Sequence, residues 1–118
     1  MEKFMLIFHD NAAATAIQPS PEEMQAEMQK WNVWIAGLAA QGKFIGTEGL
    51  MPFGKVVRGQ ESIVTDGPFT EGKEIIGGYA VVNADTLDEA IGLTAGCPIL
   101  ADNGAVEVRP IINFEQFA

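Results

Sequence analysis

The order of apolar runs, capping signals and turns along these 118 residues predicts an α+β fold, reading strand, helix, strand, hairpin, strand, helix, strand. With the hairpin set aside as an insertion, this is the split βαβ pattern of ferredoxin-like folds, βαββαβ. Three observations carry the prediction. Two capping boxes, Ser20-Pro21-Glu22-Glu23 and Thr86-Leu87-Asp88-Glu89, open helices where the pattern needs them. Apolar runs at Phe4–His9, Phe44–Leu50, Ile75–Val82 and Ala105–Ile112 supply the strands. The central strands are apolar on both faces, yet two helices cover only one face. A homodimer pairing sheet on sheet, a dimeric α+β barrel, is the economical cover for the other.

In order along the chain, Phe4, Leu6 and Phe8 alternate with Met5, Ile7 and His9. Asp10-Asn11 ends this strand, and an Ala-rich connection leads to Pro19. Met24, Met28, Trp31, Ile35 and Leu38 recur at helical spacing as one apolar stripe, widened by Trp34 and stopped at Gly42. Gly46 and Gly49 weaken the second strand. Val56–Arg58 and Ser62–Val64 flank Gly59-Gln60 as a small hairpin. Ile75, Gly77, Tyr79 and Val81 should share one face of the next strand, and Ile76, Gly78, Ala80 and Val82 the other. The second helix runs through Leu87, Ala90, Ile91 and Thr94, and Gly96 and Pro98 stop it. Phe114 and Phe117 mark an aromatic tail that could dock elsewhere.

Composition narrows the function classes. Hydrophobic residues make up 47% and charged residues 19%, as in a single globular domain spanning residues 1–118. The net charge of −9, with seven scattered basic residues, argues against direct nucleic-acid binding. No apolar run approaches the roughly 20 residues of a membrane span. The single cysteine, Cys97, permits no internal disulfide, so a cytoplasmic location is the default. One His and one Cys make no credible metal site, and no cofactor motif is present: Gly77-Gly78 lie in a strand rather than a phosphate loop.

The densest chemistry lies in Thr65-Asp66-Gly67-Pro68-Phe69-Thr70-Glu71-Gly72-Lys73-Glu74. Asp66 is either a turn-maker before Gly67-Pro68 or a carboxylate serving as acid, base or ligand acceptor. Phe69 either anchors the loop to the core or meets a ligand. Glu71, Lys73 and Glu74 form either a dimer lock or a ligand cradle. Gly77-Gly78 mark close approach of a backbone or ligand. Arg109 either pairs with Glu107, two residues away, or offers its fork to a carboxylate. His9 is the one side chain with an ordinary titration near neutrality, a candidate acid–base group or a structural residue.

The block Val64–Glu74 resembles the signature of the DGPF branch of the YciI-like (YCII) superfamily. The later Gly77-Gly78, the Glu48-Gly49-Leu50 triplet, Asp85–Ala90, Cys97-Pro98 and Val106–Pro110 fit the same pattern. The resemblance implies a ferredoxin-like α+β fold that dimerises through its sheets. It also implies a His–Asp pair in enzymatic members. Asp10 matches the Asp of that pair, but the first helix has no histidine, and Trp31 stands near where one would sit. Proximity of such genes to extracytoplasmic sigma factors implies a sigma-factor link as a further partner.

These readings lead to a small-molecule-binding or accessory regulatory protein with its pocket near the signature block. The alternatives are a cofactor-free acid–base enzyme using Asp10 or Asp66 with His9, and a module acting on a sigma factor. In the ferredoxin-like arrangement the first strand and Ile75–Val82 are expected side by side and parallel, which puts His9 and Asp66 at opposite ends, ~20 Å apart; this disfavours a dyad within one subunit and leaves one across a dimer open.

Overall fold

The computed structural model describes residues 1–11, 19–67 and 74–117. The elements are β1 (Glu2–Asn11), α1 (Pro21–Ala40), β2 (Phe44–Gly49), β3 (Gly54–Arg58), β4 (Ile63–Gly67), β5 (Glu74–Ala84), α2 (Leu87–Gly92), α3 (Pro98–Ala101) and β6 (Ala105–Pro110). A turn of 3₁₀ helix at Phe114–Phe117 follows. The main sheet has the order β2-β5-β1-β6, and every neighbouring pair is antiparallel. This is the ferredoxin-like α+β arrangement that the element order predicts, with β3 and β4 as a separate two-stranded sheet. No helix among the described residues is long and apolar enough to cross a membrane.

Both predicted N-caps form. Ser20 Oγ accepts from the Glu23 amide at 3.1 Å, and Thr86 Oγ1 accepts from the Glu89 amide at 3.1 Å. The core lies between the helices and one sheet face, where Phe4, Leu6 and Phe8 of β1 meet Ala80 and Val82 of β5. Trp34 and Leu38 of α1 close over them, and Trp34 Nε1–H donates to the Leu93 carbonyl at 3.1 Å. Fully burying one such large side chain contributes about 1.5–3 kcal/mol.

Several expectations are corrected. β1 and β5 run antiparallel, because a strand that follows a hairpin-like return must reverse direction; His9 therefore faces Ile76 and Asn11 faces Glu74. A bulge between the Phe8–Gly78 and His9–Ile76 pairs inserts Gly77, so Ile75 rather than Ile76 joins the buried side. On α1 only the second half of the stripe reaches the core: Trp34 and Leu38 are buried, whereas Met24 and Met28 are exposed. From α2 the core takes Ala90 and the following Leu93, and Leu87 and Ile91 stay exposed. Pro98 stops nothing; it opens the short α3, as its fixed φ allows at a first helical position. The hairpin is longer than its sequence signal, with a turn over residues 59–62 in which Gly59 and Ser62 take positive φ. Phe114 and Phe117 are exposed, and neither joins the core of the described residues.

Candidate functional site

Alternation along β1 places His9 and Phe8 on opposite faces. Phe8 points inward, its ring 5.0 Å from Trp31 and 6.0 Å from Trp34, both edge-on. That clasp fixes the backbone that carries His9 outward onto the helix-free face of the sheet. Gly104 fixes it from the other side, because a Cβ there would lie 2.8 Å from the His9 carbonyl oxygen.

On the helix-free face His9 lies between two carboxylates. Its Nε2 is 2.8 Å from Glu107 Oε1 on β6, and its Nδ1 is 3.6 Å from Glu74 Oε2 at the start of β5. Glu107 faces Ile7 across the β1–β6 ladder and reaches His9 diagonally. Its second oxygen lies 3.9 Å from Arg109 Nε, so Arg109, Glu107, His9 and Glu74 follow one another along the face. An ionised carboxylate only accepts, so Nε2 is the donor to Glu107, and Nδ1 is left facing Glu74. Glu74, at 3.6 Å, is outside hydrogen-bond range of that nitrogen and acts on it only through its charge. Half-exposed pairs of this kind contribute about 0–1 kcal/mol each. Orientation of the imidazole, more than stability, is what the cluster supplies.

Neither aspartate named with His9 in the acid–base alternative joins it. Asp10 pairs in register with Ile75 on the helix side of the sheet, and its Oδ1 accepts from the Asn11 amide at 2.8 Å. Asp66 stands within β4 rather than in a turn, where it is ion-paired across the hairpin with Lys55. It lines an open groove of about 370 Å³ with Phe53, Gly54, Lys55 and Gly67. Of the signature charges, Glu74 is the one placed at the cluster; Phe69, Glu71 and Lys73 lie outside the described residues. Arg109 is exposed and meets Glu107, one of the two alternatives its spacing left open. Gly78 carries a close approach as its position in a strand suggests: a Cβ would lie 2.6 Å from the Glu48 carbonyl oxygen of β2.

Glu107 is the residue that the sequence reading undervalued. Its signal was available, since an antiparallel sheet of order β2-β5-β1-β6 brings the start of β6 alongside the finish of β1. A larger groove of about 620 Å³ lies at the opposite end of the sheet, between Glu2, Lys3 and Asn83 and the segment from Pro110 to Gln116. It contains no histidine, and the acid–base chemistry is remote from it. Cys97 is buried, and burial pushes its thiol up in pKa, against a smaller opposing hydrogen bond from the Ile99 backbone.

A model of the family described as YCII-related domain matches residues 2–115 of the chain. No curated protein matches it.

Proposed function

The chain belongs to the YCII-related domain family, and from that premise we propose that it is a small-molecule-binding domain whose ligand meets the helix-free sheet face at His9, Glu107 and Glu74. The observation that carries this reading is the oriented imidazole, held at 2.8 Å by Glu107 beside the half-buried Ile7 and Tyr79. Polar groups converging at the margin of an apolar surface are what fixes a small ligand's orientation. Such sites are concave and a sheet face is not, so a second copy of the chain supplies the opposing wall.

The test is a screen of small polar fragments followed by the nitrogen and carbon NMR signals of the His9 ring. The expected outcome is saturable shifts of those signals, abolished in Glu107→Gln. Fragments that perturb only the Asp66 groove, or only the groove beside Pro110, overturn it.

A second reading is favoured by the Glu107–His9 contact itself. A carboxylate that fixes an imidazole tautomer also equips it for proton transfer, worth typically 10²–10⁴-fold in rate. In this reading a bound carbon acid exchanges its proton for deuterium in heavy water. His9→Gln should then stop exchange while leaving binding within a few-fold, whereas equal loss of both favours the binding domain alone.

A further inference from the structure

We infer that the β3–β4 hairpin is an intersubunit arm that clasps a second copy of this chain. The inference rests on the reading above that a second copy opposes the helix-free face. Among the described residues, β3 and β4 pack extensively only on each other, outside the main sheet. A lone two-stranded hairpin is at best marginally stable in water and needs a surface to lie on. The arm and its approach instead display Leu50, Met51, Phe53, Val57, Ile63 and Val64, each 51–71% exposed. So many large apolar side chains within one short stretch exceed the scattered exposure of an ordinary surface. The Cα radius of gyration is 16.0 Å, against about 13.5 Å for a compact chain of this length.

Area and charge select a second copy as the occupant. Four strands ~4.8 Å apart, with roughly six residues at ~3.3 Å each, present ~400 Å² of flat face. A standard stable interface buries about 800 Å² per partner, so the sheet face alone falls short. The six exposed side chains are of the size to supply much of the difference. Two copies carrying −9 each repel one another wherever their charge is concentrated. Residues 54–67 hold two basic and two acidic residues and are neutral, leaving the whole net charge to the rest of the chain. The arm is thus the part of the surface that can approach another copy without adding repulsion. Two-fold symmetry makes the contact reciprocal, each arm lying on the other subunit.

The register puts Val57 and Val64 opposite each other on one arm face, exposed and remote from the core, so charges there leave the body's fold alone. Sedimentation equilibrium of the wild type, of the Val57→Glu/Val64→Glu double variant and of Ile7→Glu separates the outcomes, with far-UV circular dichroism as the folding check. The expected result is a wild-type dimer of twice 12.7 kDa, and dissociation constants raised at least tenfold in both variants. A double variant that dimerises as tightly as wild type, while Ile7→Glu does not, overturns the arm and keeps the opposed sheets. A wild type that is monomeric at 100 μM overturns both.

Discussion

At the scale of single residues, the titration of Cys97, Lys43 and Glu89 is displaced by the structure, and all three lie away from the His9 cluster. Cys97 is 2% exposed, and its raised thiol pKa makes it a poor nucleophile. Ellman's reagent should therefore leave the native protein unlabelled over an hour at pH 8 and react fully once it is denatured. Lys43 Nζ and Glu89 Oε1 are 2.5 Å apart, which raises the lysine's pKa and lowers the glutamate's. A carboxylate lowered on folding stabilises above its unfolded pKa, roughly 4.3, and loses that contribution as pH falls through the lower folded value. A lysine raised on folding stabilises below its unfolded pKa and loses that contribution as pH climbs through the higher folded value. Lys43→Met should thus lower the melting temperature by a constant amount from pH 6 to 9. As pH falls through the glutamate's lowered folded value the two proteins should converge, as thermal melts across that range would show.

At the scale of elements, the bulge and the two glycines of β5 are where local rules and tertiary demand meet. Gly78 faces the Glu48 carbonyl so closely that Gly78→Ala must push β2 aside, costing about 1–3 kcal/mol. A urea titration reads that loss as an earlier midpoint at unchanged slope. Phe8→Ala empties the slot between Trp31 and Trp34 and should cost more, about 3–5 kcal/mol. The elements most legible in the sequence were those written in periodic or capping signals: both helix starts, the four sheet strands and the hairpin. Less legible was what depends on neighbours. Helical spacing gave Met24 and Met28 the same standing as Leu38, although the sheet extends under only the later turns of α1. Alternation in β5 was correct as far as Gly78, and then one unpaired residue shifted it, a break that strand periodicity cannot register.

At the scale of the whole molecule, the direction of one strand decides the candidate site. His9 and Glu74 are conspicuous in the sequence, but a parallel β1–β5 pair would hold them apart. The antiparallel pair sets Glu74 opposite Asn11, beside His9, and brings Glu107 in from the other flank. Sequence proximity misleads for the same reason, since Asp10 adjoins His9 in the chain yet sits on the other side of the sheet. The two sheets should also differ in protection. Amides of β1 and β5 are expected to exchange with solvent deuterium only through global unfolding, and those of β3 and β4 by local opening that becomes faster on dilution below the dissociation constant of the proposed dimer. Arm amides as slow as those of β1 at every concentration would mean that the hairpin is held by its own subunit.

The aromatic clasp behind His9 has a practical consequence. Trp31 and Trp34 are the chain's two tryptophans, and their rings lie 5.8 Å apart against Phe8. All indole emission from the protein therefore originates in one spot, a single residue removed from the imidazole. Any event on the outer face that moves β1 by a fraction of an ångström alters the packing, and hence the quenching, of both fluorophores together. The unlabelled protein carries its own optical gauge of occupancy, readable by stopped flow without knowing in advance what the ligand is.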